Sequence, residues 1–334
     1  MMWVMDTNHL PTDSDALLSL IQRVKENYQM PPPALRQRGK QRDFSARSFL
    51  LLAVVAVVLR TFRDRELHNL LTLDDDLCAA MEFMRVPHRT TIGRRLVGLV
   101  AEAEEQVRWL GEVIKTQVTP AADQSQVSVV DGRMYQAQGP KWHASDRRAE
   151  RVPRGLRNVD TASSWSKSGY RGWVQGYQLL VQGLVFPVPV PLWAAWRPNH
   201  ENEARLAQQA LHQAQLHVTD VLLGDTTYGG APFTTAYAAA GGWVLTPKQL
   251  PTERRSWKHD LYDYRKETGE LLFQRIIQAT DLKACPAKGR GRNGAFVLAS
   301  VWLYQVCFLT DYRESKPATH VKEHLDCARW RIKT

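Results

Sequence analysis

The chain has 334 residues, and its 44 Lys and Arg outnumber its 34 Asp and Glu, which gives a formal net charge of +10. This basic excess favours an anionic partner, most often nucleic acid, and the length predicts two or three structural units. The longest apolar run, residues 49–59, is too short to span a membrane, and the four cysteines lack the spacing of a zinc site. We therefore expect a cytoplasmic protein without a membrane segment.

The first 122 residues carry helical patterns separated by short breaks. The segment "SDALLSLIQRVKENY" predicts a helix capped by Ser14 or Asp15, and a proline-rich break follows it. Further helices are predicted at about residues 46–62, 64–72 and 75–84. We expect residues 1–122 to form an all-α, DNA-binding region.

The segment "VPHRTTIGRRL" predicts another helix in this region, capped by Thr90 or Thr91. Its first turns carry Arg94 and Arg95, and a turn followed by such a helix is compatible with helix-turn-helix docking on DNA. The alternative is an ordinary surface helix with solvated arginines. Both interpretations remain open at this stage.

Strand patterns begin after "VTPAADQSQ", residues 118–126, which is the best domain boundary in the sequence. Strands are predicted at "VSVVDGRMY", twice within 177–196, at "VTDVLLGD" and at "GWVLTP"; helices are predicted at 199–217, "PFTTAYAAAG", 260–280 and 294–309. This order predicts an α/β fold with helices on the faces of a mixed sheet, as in ribonuclease-H-like nucleases and integrases. We assign residues 123–311 to this domain and 312–334 to a basic C-terminal tail.

Two aspartates occupy unusual places in the predicted strands. Asp131 lies inside "VSVVDGRMY", and Asp225 ends the apolar run of "VLLGDTTYGG". Ligands of open α/β sheets gather beyond the carboxyl ends of strands, so Asp225 stands where a site is expected. The alternative roles are local, with Asp131 forming a strand-end turn and Asp225 forming an Asx turn.

A third carboxylate is expected from the helix "YRKETGELLFQRII". Glu270 and Phe273 lie three residues apart, which predicts that Glu270 shares the sheet-facing stripe, whereas Glu267 falls toward its edge and is the weaker candidate. Gly269 indicates a close backbone approach or an irregular first turn. The alternative is that Glu270 pairs with Lys266 one turn away.

Three acids in one pocket repel one another unless cations bind between them. Ligation by oxygen atoms alone suits Mg²⁺ or Mn²⁺. Two such ions activate a water or a 3′-hydroxyl group and stabilise the leaving oxygen in phosphodiester chemistry. Asp131, Asp225 and Glu270 are therefore the candidate ligands of two metal ions.

Several segments resemble the IS4/IS5-like insertion-sequence transposases of the DDE group. "VVDGR" is similar to their first Asp strand, "VLLGDTTYGG" to the second Asp with its Gly/Tyr turn, and "GELLFQRII" to the Glu helix. "SSWSKSGYRGWVQGYQLLV" and "FRDRELHNLLTLDDDLCAAMEFMRVPHRTTIGRRL" extend the resemblance over most of residues 45–310. It implies a ribonuclease-H-like domain that cleaves and joins DNA, with Asp131, Asp225 and Glu270 as metal ligands.

One part of the family pattern is imperfect in this chain. In the Tyr-x2-Arg-x3-Glu-x6-Lys signature, Tyr262 and Arg265 fit each other, but Arg265 is one position too far from Glu270. Ile277 stands where the Lys is expected, and Lys266 is the nearest substitute for the arginine. This departure leaves room for an inactive or specialised copy.

Basic and aromatic residues are concentrated between the first two predicted strands. Residues 133–173 carry nine Lys or Arg and three acids, with aromatic residues interleaved, so we expect a DNA-contacting insertion at about 136–174. "KACPAKGRGRNG", residues 283–294, is a second predicted phosphate-contacting loop. The alternative for the insertion is a solvated loop with its aromatic residues in the core. The candidate DNA contacts are Arg94, Arg95, Lys141, Arg147, Arg148, Trp165, Lys167, Tyr170, Lys266, Arg290 and Arg292.

The combined prediction is a metal-dependent DNA transposase that acts on double-stranded DNA as a homodimer in the cytoplasm, at the nucleoid. One alternative is a catalytically inactive DNA-binding protein derived from a transposase. Another is a ribonuclease-H-like nuclease that cleaves DNA without strand transfer. A serine hydrolase, a nucleotide triphosphatase and a dehydrogenase are disfavoured because their motifs are absent from the sequence.

Overall fold

Six helices form the chain before the first strand in the computed structural model, which describes residues 13–31, 44–118, 120, 124–169, 171–253, 256–317 and 321–329. They are α1 (Asp13–Glu26), α2 (Ala46–Leu59), α3 (Asp64–Leu73), α4 (Asp75–Ala80), α5 (Arg89–Val97) and α6 (Val100–Gln117). The regular elements that the structure describes in this region are therefore all helices, as the sequence predicts.

Helix α5 begins differently from the prediction. Its cap is His88, whose ring nitrogen accepts a hydrogen bond from the backbone N–H of Thr90, so neither Thr90 nor Thr91 caps it. The chain breaks at Gly98 and continues as α6, so one predicted helical segment forms two helices. The proline that precedes His88 stops the helix from starting earlier.

The sheet is mixed and has six described strands. They are β1 (Val127–Gln136), β2 (Ser164–Ser168), β3 (Gly172–Phe186), β4 (Val190–Pro198), β5 (Val221–Leu223) and β6 (Trp243–Leu245). The order is β2-β3-β1-β5-β6, and β4 also pairs with β3. β3 is antiparallel to β1, β2 and β4, whereas β1, β5 and β6 are parallel.

Helices cover both faces of this sheet. The later helices are α7 (Ala144–Arg148), α8 (Glu203–His212), α9 (Ala231–Ala239), α10 (Trp257–Thr280), α11 (Arg290–Arg313) and α12 (Val321–Arg329). α8 and α9 pack in one cluster with Val130 of β1, whereas α10 packs with Val129 on the other face. Alternate residues of β1 therefore face different helices, as in a strand that is buried on both sides.

Helices α2 and α11 are apolar around most of their circumference because both lie in the core. α11 is long and apolar enough to cross a membrane, but 94% of its apolar window is buried inside the protein. It begins at Arg290 rather than at the predicted residue 294, because the Asn293 side chain holds the preceding turn through Ala287 and Gly289. Part of the predicted 283–294 loop is therefore helix.

A single large core cluster joins the N-terminal helices to the sheet. α6 packs on β4, where Gly111 contacts the backbone of Leu192, and Glu104 forms an ion pair with Arg197. The Gln305 amide of α11 donates to the backbone carbonyls of both Val107 and Pro191. These contacts cross the predicted boundary at residues 122 and 123.

Candidate active site

Asp131 and Asp225 lie side by side at the carboxyl end of β5. The parallel register pairs Val129 with Leu223, and each aspartate follows two residues later. Neighbouring strands are about 4.8 Å apart, so this register brings the two side chains to one edge. β1 continues past β5, and Asp131 remains in the sheet opposite Val181 of β3. The predicted meeting of the two aspartates follows directly from this register.

Asp131 is a half-buried carboxylate with one cationic neighbour. Its Oδ1 accepts a hydrogen bond of 2.9 Å from the Gly132 N–H, and its Oδ2 lies 3.6 Å from a guanidinium nitrogen of Arg265. Burial raises the pKa of Asp131 above its ordinary value, and the charges of Asp225 and Glu270 add to the rise. The opposing effect of Arg265 does not overcome them. The site is therefore short of positive charge.

Asp225 forms the Asx turn that was its alternative role. Its Oδ1 accepts a hydrogen bond of 2.8 Å from the backbone N–H of Thr227, and its Oδ2 lies 3.3 Å from the hydroxyl of the same residue. These bonds cap a short 3-10 helix, residues 226–229. Each carboxylate oxygen has more than one lone-pair site, so the turn leaves Asp225 able to bind a cation.

Glu203 is an additional acid of this site that the sequence did not reveal. It is the first residue of α8, which Asn202 caps. A Cβ atom on Gly132 would overlap the Glu203 carboxylate, and the Tyr228 hydroxyl lies 3.3 Å from Glu203 Oε2. Burial raises the pKa of Glu203 to about 7, and the charges of Asp131 and Asp225 contribute to this rise. The one available signal was Gly132, the small residue directly after Asp131.

The high pKa of Glu203 predicts a pH-dependent stability of the metal-free protein. The folded-state pKa of Glu203 lies above the ordinary value of a glutamate. The protonated Glu203 side chain therefore contributes its full stabilisation below about pH 4.5, and this contribution is lost as the pH rises through about 7. In a chelating buffer, the unfolding temperature of the wild type should therefore fall by roughly 5 °C more than that of Glu203→Gln between about pH 5 and pH 8.

Glu201→Gln is the matched control for this measurement. It removes a carboxylate two residues earlier and leaves the hydrogen bond between Tyr228 and Glu203 intact. Thermal unfolding followed by circular dichroism at each pH would compare the three proteins. Identical pH profiles for the wild type and Glu203→Gln would contradict the assignment of a buried, high-pKa carboxylate to Glu203.

Helix α10 crosses β1 at Gly269, where a Cβ atom would lie 3.3 Å from Cγ2 of Val129. The close backbone approach suggested by this glycine is therefore present. One turn earlier, Arg265 points at Asp131, and its guanidinium also donates to the Tyr262 hydroxyl over 3.4 Å. Arg265 thus contacts both Asp131 and Tyr262.

Glu270 does not share the buried stripe of α10, which corrects the prediction from helical spacing. Its side chain is exposed, because the helix is rotated to place Gly269 against the sheet, and Glu267 is exposed as well. Glu270 still lies near enough to raise the pKa of Asp131. Lys266 pairs with Asp263 at 2.7 Å, so the alternative pairing with Glu270 is wrong.

The chemistry of these acids suits a divalent cation, but the side chains lie too far apart to hold one ion together. Asp131, Asp225 and Glu203 offer only oxygen atoms, which Mg²⁺ and Mn²⁺ prefer as ligands. The single positive charge of Arg265 does not balance the negative charges of these acids. Among the described residues, no three acidic, histidine or cysteine side chains converge closely enough to hold one ion. A bound cation would therefore have to draw the acids together.

Two of the predicted DNA contacts are instead structural. The Arg95 guanidinium lies 5.2 Å from the centre of the Phe49 ring and donates to the Phe44 carbonyl over 3.0 Å. Arg292 forms an ion pair with Asp64 of α3. Both arginines point into the protein because the helices that carry them pack against α2 and α3, which corrects their assignment to DNA.

The other predicted contacts remain available at the surface. Arg94, Lys141, Arg148, Lys167, Lys266 and Arg290 are exposed, and Arg147 and Trp165 are half-buried. Tyr170 lies outside the described residues. β2 and β3 form a hairpin within the predicted insertion, so part of this basic segment is ordered sheet rather than loop.

Comparison with known proteins gives weak similarities to transposases. No protein-family model and no curated protein matches the chain. Among solved structures, it is similar to a piggyBac transposase synaptic complex with hairpin DNA, at 9% identity and a TM-score of 0.38, covering 96% of this chain and 80% of that chain. It is also similar to a Mos1 transposase paired-end complex with the left transposon end, at 13% identity and a TM-score of 0.21, covering 90% and 89% of the two chains.

Proposed function

We propose that this protein is a metal-dependent DNA transposase of the DDE type. The observation that carries the proposal is the register of β1 and β5, which sets Asp131 and Asp225 side by side at one sheet edge. Burial and neighbouring acids raise the pKa of Asp131 there despite Arg265. An edge that is rich in oxygen ligands and short of positive charge is suited to binding divalent cations.

The topology supports a ribonuclease-H-like assignment for the sheet. β1 is central, with the antiparallel β3 on one side and the parallel β5 and β6 on the other, and β4 lies beyond β3. Helices follow β4, β5 and β6, and the two aspartates lie level with the carboxyl end of β5, where ligands of open α/β sheets bind. The resemblance of the sequence segments to IS4/IS5-like transposases supports the same assignment. It also supports Glu270 as the third metal ligand.

Asp131 and Asp225 would hold one or two Mg²⁺ or Mn²⁺ ions, with Glu270 or Glu203 completing the ligand set. When bound, the ions supply an activated water or 3′-hydroxyl group and stabilise the leaving oxygen. Arg265 orients Asp131 through its carboxylate contact. Without metal, Glu203 carries a proton in about half of the molecules at pH 7, because its pKa is about 7.

In the proposed reaction, water attacks a phosphodiester at the element end, and the 3′-oxygen leaves with a proton. The freed 3′-hydroxyl then attacks a phosphodiester of the target DNA and displaces another 3′-oxygen. Two ends must be held together for this reaction, so the active unit is proposed to be a homodimer on double-stranded DNA, acting in the cytoplasm at the nucleoid.

A catalytically inactive DNA-binding protein is the second candidate. The exposed position of Glu270 and the imperfect signature around Arg265 favour it, because an active centre needs its third carboxylate close to the first two. Such a protein would bind DNA ends without needing metal. The two candidates therefore differ in chemistry rather than in DNA binding.

Cleavage and joining of labelled DNA that carries the sequences flanking the coding region would test the proposal. The reaction would be run with Mg²⁺ or Mn²⁺ on the wild type and on Asp225→Ala. We expect metal-dependent nicking and strand transfer that are lost in the variant. Asp263→Ala is the control, because Asp263 is an exposed acid on α10 that pairs with Lys266.

Other outcomes would support a different function or a different site. Specific binding without chemistry under either metal would overturn the proposal and support the inactive protein. Metal-dependent cleavage that never produces joined strands would support the ribonuclease-H-like nuclease. Equal activity of Asp225→Ala and the wild type would show that the chemistry lies elsewhere.

A further inference from the structure

The basic insertion forms an open cavity that lies apart from the carboxylates. Its volume is about 640 Å³. The residues that line it are aromatic or cationic, with one alanine: His143, Ala144, Arg147, Arg148, Trp165 and Trp173. Trp173 is 66% exposed, so its indole is accessible to a ligand.

The β2–β3 hairpin sets the spacing of the two indoles. Trp165 pairs with Gln175 and Lys167 pairs with Trp173, so both indoles lie on one face as diagonal neighbours. Diagonal residues of an antiparallel pair are about 7–8 Å apart. A planar ring stacked between two others needs about 7 Å, twice the rise of about 3.4 Å between stacked bases. The backbone spacing beneath the two indoles therefore suits one nucleobase stacked between them.

One wall of this cavity is held rigidly before any ligand binds. The Trp165 indole N–H donates to the Trp142 carbonyl over 2.8 Å. Trp142 is itself buried, and its backbone N–H donates to the Gln175 side chain over 2.8 Å. Gln175 in turn donates to the Ser163 hydroxyl. A wall fixed in this way loses little side-chain entropy when a ring stacks on it.

The charge of the cavity matches the strand that would carry such a base. Arg147 and Arg148 lie on α7 beside the two indoles. Within the part of the chain that the structure describes, neither guanidinium group forms an ion pair or a side-chain hydrogen bond. Lys167 adds an exposed cation directly opposite Trp173. Phosphates on either side of an inserted base would meet these cations.

We propose that this cavity binds one unpaired nucleobase of a DNA strand, stacked between Trp165 and Trp173, with the flanking phosphates on Arg147 and Arg148. The inference rests on the proposed action on DNA and adds a preference for an unpaired base. Stacking is possible on any base, so the cavity recognises the absence of pairing rather than a sequence.

The cavity engages DNA at a distance from the chemistry. Val181 pairs with Asp131 and lies eight positions along β3 from Trp173. At about 3.3 Å per residue, the Cα atoms of Val181 and Trp173 are about 26 Å apart along the strand, the length of about eight base pairs. The base that enters the cavity is therefore several positions from the scissile phosphate.

The test is binding of two short duplexes that differ only by one extrahelical 2-aminopurine, at one salt concentration and in a chelating buffer that prevents catalysis. We expect the wild type to bind the bulged duplex about tenfold more tightly and to quench its fluorescence by stacking. Trp173→Ala should lose this preference. Trp257→Ala is the matched control, because Trp257 is 62% exposed but lies on α10 against Trp243.

The outcomes separate this inference from the proposed function. Equal, strong binding of both duplexes by the wild type would overturn the nucleobase cavity and leave DNA binding intact. Failure to bind either duplex would contradict both proposals. Loss of the preference in Trp257→Ala as well as in Trp173→Ala would also overturn the assignment, since the effect would not belong to this cavity. Thermal unfolding of each variant checks that it folds.

Discussion

Replacing Asp131 with asparagine is expected to lower metal-dependent DNA cleavage by at least about a thousandfold while leaving the protein folded. Asparagine has nearly the same shape and still accepts the hydrogen bond from the Gly132 N–H. It lacks the negative charge that would hold a divalent cation beside Asp225. The measurement is the rate of nicking of labelled DNA with Mg²⁺ or Mn²⁺.

The stability of Asp131→Asn distinguishes loss of chemistry from loss of fold. Because the pKa of Asp131 is raised in the fold, its ionised form destabilises the metal-free protein at neutral pH. In a chelating buffer at about pH 8, the variant should therefore unfold at the same or a higher temperature than the wild type. A thousandfold slower enzyme that is also more stable would be the signature of a functional carboxylate.

Asp263→Asn is the matched control, since Asp263 is an exposed aspartate on α10 that pairs with Lys266. Its cleavage rate should stay within about twofold of the wild type, as is typical of surface substitutions away from a site. Cleavage by Asp131→Asn at the wild-type rate would refute the assignment of Asp131. A large fall in both variants would point to a general effect of charge instead.

The two aspartates were predictable because strand patterns are local. The apolar runs of "VSVV" and "VLL" identify β1 and β5, and the register of these parallel neighbours sets the two aspartates level with each other. Glu203 was not predictable in this way, because its contact with Gly132 depends on how α8 packs across the sheet. β2 was missed because "SWSKS" has one apolar residue in five and forms a strand only by pairing with β3.

The face of α10 was misjudged for a physical reason. Helical spacing places Glu270 on a stripe with Phe273, but the smallest residue allows the closest approach of helix and sheet. Gly269 therefore sits against Val129 and turns Glu270 outward. In the same way, Arg95 was a candidate DNA contact, and its position over the Phe49 ring depends on the packing of α5 on α2. Contacts between distant elements decide such cases.

Gly111→Ala is expected to lower the free energy of unfolding by about 3 kcal/mol. A Cβ atom at Gly111 would overlap the backbone of Leu192 in β4, and neither α6 nor the strand has a side chain there that can rotate away. Alanine favours a helix over glycine by about 1 kcal/mol, so the sign of the change depends on which effect is larger. We expect the overlap to win because it involves backbone atoms.

Gly98→Ala is the control for this prediction. Gly98 ends α5 with a φ of −88°, and the nearest atom to its added Cβ would be the Arg95 carbonyl oxygen at 3.7 Å. Its free energy of unfolding should change by less than about 0.5 kcal/mol. Equilibrium unfolding in urea, followed by both tryptophan fluorescence and circular dichroism, would measure both variants.

The N-terminal helices and the sheet are expected to unfold together. The contact of Gly111 with Leu192 joins the N-terminal helices to the sheet, and the Gln305 amide bonds link α11 to both. Because these parts share one core, Gly111→Ala should shift a single transition seen by both probes. Two separate transitions, with only one displaced, would mean that the helical region and the sheet unfold independently. Wild-type stability of Gly111→Ala would contradict the close contact itself.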